Sequence, residues 1–131
     1  MNTKLLMRSS ALFLGTAGVG ASFLPQELLA AIGAPPLLPL VLVIQLLGAT
    51  YVGLGMLNWM SQGSLIGGIY SRPIAVGNLT HFVMGFLALV KSIKISALLA
   101  SMIALAIVYG VFAAWFGLVL RTHPVRSKPE A

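Results

Sequence analysis

Long apolar stretches separated by short polar connections make up most of this chain. Four of these stretches carry almost no charge, and we expect one helix in each: residues 5–24, 37–60, 73–90 and 95–120. A helix rises about 1.5 Å per residue, so about 20 apolar residues cross the hydrocarbon core of a membrane. The pattern therefore predicts an all-α fold, an integral membrane bundle of four transmembrane helices.

The connection between the first and second spans predicts a short additional helix. Pro25 suits the first turn of a helix, and Glu27 lies near its positive end. The apolar residues that follow share one face, and Gly33 with the prolines after it ends the helix. We expect this helix to lie in the membrane interface.

The remaining connections differ in character. Residues 61–72 are polar and rich in glycine, which suits a loop that dips into the head-group layer or folds back over the bundle. Only three residues separate Lys91 from Ile95, so the third and fourth spans should form a tight antiparallel hairpin. Residues 121–131 form a basic tail that we expect to be flexible.

Small residues recur on single helix faces and predict close helix packing. In the first span these are Gly15, Thr16, Gly20 and Ala21, and in the fourth Ala106, Gly110 and Ala114 repeat at every fourth position.

The composition supports a membrane location and a single domain over residues 1–131. Hydrophobic residues make up 59% of the chain and charged residues 8%, and the mean hydropathy is +1.01. A soluble domain has about a quarter of its residues charged. The absence of cysteine excludes disulfides, thiolate metal sites and CxxC redox chemistry.

The formal charge of +6 predicts a membrane orientation and not a nucleic-acid partner, because the basic residues lie at the edges of apolar runs. With four spans, one side carries Lys4, Arg8, Arg72, Arg121, Arg126 and Lys128, and the other carries Lys91 and Lys94. The positive-inside rule then places both termini in the cytoplasm of a bacterial cytoplasmic (inner) membrane.

The first apolar stretch also has features of a signal peptide. Lys4 and Arg8 precede it, and small residues follow around 30–34. Cleavage would leave three spans with the mature N-terminus outside. We favour a retained span, because Pro25 follows the apolar run directly and no clean small-x-small site lies just after it.

One polar cluster is predicted at mid-membrane depth on the third span. His81 lies about 12 Å along that helix, and Asn78 is three positions earlier on nearly the same face, with Thr80 offset. Gln45 in the second span and Tyr109 in the fourth are candidate partners at similar depth. Polar side chains at this depth should point into the bundle.

Two interpretations of this cluster stay open. It is either a hydrogen-bonded clamp that fixes helix register, or a small polar pocket that binds a lipid-like or quinone-like molecule or passes a proton through the imidazole. A metal or haem site is disfavoured, because His123 lies in the tail and no acid accompanies His81. We therefore predict no metal and no cofactor.

Catalytic motifs are not found in the sequence. It has no glycine-rich phosphate loop, no HExxH, no pair of carboxylates and no acid to complete a Ser-His triad. We predict that the chain is not an enzyme.

Two charged residues have both structural and binding interpretations. Glu27 is either a charge at a helix start or a partner of Lys91 or Lys94. Arg72 is either a topology anchor or a ligand of a lipid phosphate in the head-group layer.

The segments FLPQELLA at 23–30 and LGATYVGLGMLNWMSQGSLIGGIYSRPIAVGNLTHF at 47–82, with the closing helix, resemble small bacterial four-helix membrane proteins, loosely the DoxX-like group. The resemblance covers nearly the whole chain and implies four membrane spans without an established activity. Small multidrug transporters are of similar size and depend on an acidic residue in the first span, which this chain lacks.

We therefore expect a small membrane protein of accessory or lipophile-binding type. Its partners would be the lipid bilayer, a lipophilic small molecule, and a second copy or another membrane protein. The alternative is a dimeric small-solute transporter or channel-like element with its path beside Asn78 and His81.

Overall fold

The structure is a computed structural model that describes residues 3–63, 71–92 and 99–122. The helices are α1 (Thr3–Phe23), α2 (Pro25–Ala31), α3 (Leu38–Met60), α4 (Arg72–Ser92) and α5 (Leu99–Thr122), with one 3₁₀ turn at Ser61–Gly63. Within these described ranges no residue is in a β-strand. The predicted all-α fold is confirmed.

Three of the helices are long and apolar enough to cross a membrane. They are the segments Leu38–Gly63, Arg72–Ser92 and Leu99–Thr122. The predicted bounds of the second and third spans, 37–60 and 73–90, agree with α3 and α4 to within two residues. Most of the predicted loop at 61–72, most of the predicted hairpin connection between Lys91 and Ile95, and the tail after Thr122 lie outside the described residues.

Helix α1 is not among the three membrane-length apolar helices, although it has 21 residues. Lys4 and Arg8 lie in its first turns, and two serines follow Arg8 directly. These residues shorten its apolar part. The structure therefore supports a membrane protein with at least three helices of spanning character.

Helix α2 begins and ends through local backbone chemistry. Pro25 occupies its first turn, where the missing N–H costs nothing, and Glu27 lies in the same turn. Gly33 has a positive φ of 71° and donates its N–H to Ala30 O at 3.0 Å, while Ala34 donates to Leu29 O at 2.9 Å. These two bonds form a Schellman motif, so Gly33 ends the helix as predicted.

The chain divides into two compact units. We call Met7–Gln62 the N-terminal unit, and the described residues of 1–6 and 63–131 the C-terminal unit.

In the N-terminal unit, α1 and α3 run antiparallel and approach closely at glycines. A Cβ on Gly18 would lie 2.7 Å from the backbone nitrogen of Val52 and 2.8 Å from the carbonyl oxygen of Gly48. A Cβ on Gly48 would lie 2.5 Å from Ser22 Oγ. The backbones are therefore in contact where both side chains are absent.

Polar contacts lie at one end of this glycine contact, where α1 begins and α3 ends. Asn58 Nδ2 donates to Ser10 Oγ at 3.1 Å, and both side chains are fully buried. Arg8 Nε donates to Oε1 of Gln62 nearby. These bonds join the start of α1 to the end of α3 and fix which residues of the two helices face each other.

In the C-terminal unit, α4 and α5 pack antiparallel through aromatic rings. The ring of Phe82 stacks on Phe112 at 4.8 Å and on Phe116 at 5.9 Å between centroids. It also meets Tyr109 edge-on at 5.3 Å. These four aromatic side chains are all buried and form the core of this unit.

We expect Gly48→Ala to lower the free energy of unfolding by about 1–3 kcal/mol, because the new methyl group would overlap Ser22 and the backbone of Gly18. Thermal or denaturant unfolding of the detergent-solubilised chain, followed by circular dichroism, measures this change.

The matched control is Gly53→Ala on the same helix, where a Cβ would meet no atom within 4 Å. This variant should be at least as stable as the original chain, because alanine favours a helix interior over glycine by about 0.5–1 kcal/mol. Equal destabilisation by both variants would show that the effect is one of glycine replacement in general and not of helix contact.

Candidate functional site

The predicted polar cluster centres on His81, whose surroundings in the C-terminal unit are aromatic. Its ring meets Phe82 edge-on at 5.1 Å and lies tilted against Tyr109 at 5.7 Å between centroids. The ring nitrogen Nε2 is buried. The structure thus brings His81 and Tyr109 together, as their predicted depths suggested.

Asn78 is fully buried one turn before His81 on α4. Its side-chain Nδ2 donates to the carbonyl oxygen of Ile74 in the preceding turn, at 2.9 Å. A bond of this kind satisfies a polar group within its own helix, which lowers its cost in an apolar setting.

The two other members of the predicted cluster lie elsewhere. Thr80 is exposed on α4. Gln45 belongs to the N-terminal unit, where its Nε2 is 3.5 Å from the carbonyl oxygen of Ser22, a long hydrogen bond. The described contacts therefore join His81 to Tyr109 in the C-terminal unit. Gln45 instead bonds Ser22 in the N-terminal unit.

A glycine that the sequence interpretation did not identify makes room for Tyr109. A Cβ on Gly85 would overlap the Tyr109 ring at Cε1 and Cδ1. The signal was present in the spacing of Tyr109, Phe112 and Phe116, which are three and four residues apart and so share one helix face. Three rings on one face predict aromatic packing against α4, and Gly85 is the position where α4 leaves space for one of them.

The N-terminal unit contains an apolar groove that was also not predicted. It has a volume of about 500 Å³ and is lined by residues of α1 and α3: Ala11, Leu12, Gly15, Thr16, Val19, Val52, Gly55, Met56 and Trp59. Among the described residues that line it, Thr16 alone bears a hydroxyl, and that hydroxyl donates to the carbonyl oxygens of Leu12 and Phe13 at 2.8 and 3.1 Å. Nearly all the surface offered to a ligand is therefore hydrocarbon.

The two charged residues singled out in the sequence lie at helix starts. Glu27 is exposed in the first turn of α2, which agrees with its interpretation as a helix-start charge. Arg72 begins α4 and lines a second groove, of about 680 Å³, together with Leu79, Ala114, Gly117, Leu118, Leu120 and Arg121. The pairing of Glu27 with Lys91 or Lys94 stays a prediction.

Comparison of the chain with protein-family models, curated proteins and solved structures finds no match. The resemblance to the DoxX-like group therefore stays a prediction. The function of this chain has to be inferred from its own residues and geometry.

We expect His81→Leu to lower the thermal stability of the chain, because it removes the ring contacts with Phe82 and Tyr109, each worth about 0.5–1.5 kcal/mol. His81→Phe keeps an aromatic ring at this position and should recover most of the loss. Thermal unfolding in detergent micelles measures both variants.

Thr80→Val serves as the control, since it changes the neighbouring exposed side chain without touching the aromatic core. If His81→Phe were as unstable as His81→Leu, the imidazole nitrogens and not the ring contacts would be what the protein needs at this position.

Proposed function

We propose that the chain is an integral membrane protein with four spans. In this proposal α1 spans the membrane in addition to α3, α4 and α5. Its 21 residues would extend about 32 Å, which matches a hydrocarbon core of about 30 Å. It also packs antiparallel along α3 at glycines, as neighbouring membrane helices do. Lys4 and Arg8 at its start would remain in the head-group layer by extending toward water.

In this proposed arrangement the protein lies in a bacterial inner membrane with both termini on the cytoplasmic side. Helix α2 then lies in the interface on the outer side. The distribution of basic residues supports it, since only Lys91 and Lys94 would lie on the outer side.

Reporter fusions at residue 34 and after residue 131 test this topology. We expect an external signal at 34 and a cytoplasmic signal at the C-terminus, because α1 and the three other spans each reverse the side of the chain. A cytoplasmic signal at 34 would contradict four spans with a cytoplasmic N-terminus.

We further propose that the protein binds a lipophilic molecule in the groove between α1 and α3, and that it acts through this binding and not as an enzyme. The groove itself carries this proposal. Its volume of about 500 Å³ lies within the range of about 300–1,000 Å³ that is typical of small-molecule sites. Its walls are apolar, as a hydrocarbon ligand requires.

The shape of the groove follows from the residues that line it. Ala11, Gly15 and Gly55 form a floor of small side chains, because a Cβ on Gly55 would lie 3.0 Å from the backbone nitrogen of Gly15. Larger residues such as Met56 and Trp59 rise beside this floor and are more than half exposed. An elongated acyl or isoprenoid chain suits a groove of this kind.

Trp59 would place one end of the groove near the membrane surface. It lies one residue before the end of α3, and indole rings are enriched at the membrane–water boundary. A lipophile with a polar head would therefore extend that head toward the interface and its chain along the groove.

The lipophile proposal accounts for the structure better than a small-solute path beside Asn78 and His81 does. Such a path needs polar groups that face a water-filled cavity. Asn78 instead bonds the backbone of its own helix, and His81 lies against two aromatic rings.

Photo-crosslinking with a diazirine-bearing palmitic acid, mapped by mass spectrometry, tests the groove. We expect labelling to concentrate on the groove residues of α1 and α3. Met56→Trp places a larger side chain in the groove and should reduce this labelling about tenfold, which corresponds to about 1.4 kcal/mol.

Leu57→Trp is the matched control, because Leu57 is the next residue, is equally exposed and does not line the groove. Its labelling should match that of the original chain. Labelling spread over every exposed apolar face, and reduced alike by both variants, would contradict a specific site.

A further inference from the structure

We propose that the groove between the start of α4 and the end of α5 binds an anionic phospholipid of the membrane. Arg72 and Arg121 would hold its phosphate, and the apolar wall beside them would hold the first part of an acyl chain. This site lies in the C-terminal unit and involves none of the residues of the α1–α3 groove.

Antiparallel packing brings the two arginines to one end of the helix pair. Arg72 is the first residue of α4, and Arg121 is the next to last residue of α5. Both are exposed, and both line the same groove of about 680 Å³. An arginine that only anchors the topology needs no more than a position near the membrane surface. These two arginines also line the same groove, which topology alone does not require.

The positive charge in this groove has no acidic counterpart in the part of its unit that the structure describes. The chain has two acidic residues, Glu27 and Glu130. Glu27 belongs to the N-terminal unit, and Glu130 lies outside the described residues. Two guanidinium groups beside one cavity favour an anion, and their planar forks match phosphate oxygens in particular.

The rest of the groove is apolar and favours a ligand with a hydrocarbon part. Its wall is formed by Leu79, Ala114, Gly117, Leu118 and Leu120. At Gly117, where no side chain projects, a Cβ would lie 3.7 Å from Leu79 Cδ1, an ordinary van der Waals distance, so α4 and α5 meet here through the Leu79 side chain. A free phosphate would use only the arginine end, while a phospholipid would use the whole groove.

The position of the groove agrees with this occupant. Helices α4 and α5 are both long and apolar enough to span a membrane, and the arginines lie at their ends, where phospholipid head groups would be. The apolar wall extends from there toward the middle of α5, where acyl chains would lie.

The test measures lipid binding to the full 131-residue chain by native mass spectrometry from detergent micelles, with dioleoylphosphatidylglycerol as the anionic probe. Dioleoylphosphatidylcholine has the same chains and no net charge. We expect Arg72→Gln and Arg121→Gln each to weaken phosphatidylglycerol binding about fivefold, and the double variant about 25-fold. Phosphatidylcholine binding should change less than twofold.

Two further variants separate a site from general surface charge. Lys91→Gln removes the same charge from the other end of α4, where Lys91 is exposed and does not line this groove, so phosphatidylglycerol binding should persist. Ala114→Trp fills the apolar wall without changing the charge, and it should weaken phosphatidylglycerol binding. Ala114 is exposed, so the larger side chain does not enter the aromatic core.

Glycerol 3-phosphate, added to the original chain, distinguishes a lipid from a soluble phosphate. At millimolar concentration it should fail to displace phosphatidylglycerol, because it lacks the chains. The proposal would be overturned by any one of three results. These are displacement of phosphatidylglycerol by glycerol 3-phosphate, weakening of phosphatidylglycerol binding in Lys91→Gln as large as in the arginine variants, and unchanged phosphatidylglycerol binding in Ala114→Trp. Circular dichroism of every variant confirms that its helices are retained.

Discussion

The close approach of the α1 and α3 backbones at glycines is the contact on which the N-terminal unit depends. Lipid hydrocarbon is as apolar as leucine, so membrane helices gain little from burying apolar side chains and associate through close packing and hydrogen bonds. Gly18 and Gly48 let the two backbones touch, since a Cβ on either one would overlap the partner. The Asn58–Ser10 hydrogen bond forms only because the helices lie this near each other.

The C-terminal unit reaches close packing by a different route. Here Gly85 gives space to the Tyr109 ring and Gly110 to the Phe86 ring, and phenylalanine rings pack in the volume between α4 and α5. The difference has a functional consequence. Paired small residues leave an apolar groove open beside the α1–α3 contact, whereas the aromatic core around His81 is filled.

Polarity in these helices is a poor guide to function unless the bonding of each group is known. Asn78, Thr16 and Thr50 each donate to a carbonyl oxygen in their own helix, so their presence in apolar segments needs no ligand. Arg72 and Arg121 differ from these, because they carry full charges beside one groove without an acid in the described part of their unit. For this reason, the groove at the start of α4 and the end of α5 is a better candidate for ligand binding than the buried amide of Asn78.

The sequence by itself determined the helices. Apolar runs long enough to span a membrane predicted α3 and α4 almost to the residue, and Pro25 and Gly33 predicted the bounds of α2. Local chemistry is sufficient for these features, because helix length and helix ends depend on neighbouring residues. The depth of His81 along its helix also predicted that Tyr109 could reach it.

Only the tertiary structure decided which faces of the helices meet. Gly18 contacts α3, whereas a Cβ on Gly20 would meet no atom within 4 Å outside its own helix, although the sequence pattern selects Gly20 and not Gly18. The sequence predicted Arg72 and Arg121 on one side of the membrane, but neither the groove that they line together nor the groove between α1 and α3 was predicted. The reason is that α3 and α5 are apolar on all sides, so no polar face marks the outside and the pattern cannot show which side turns toward a neighbour.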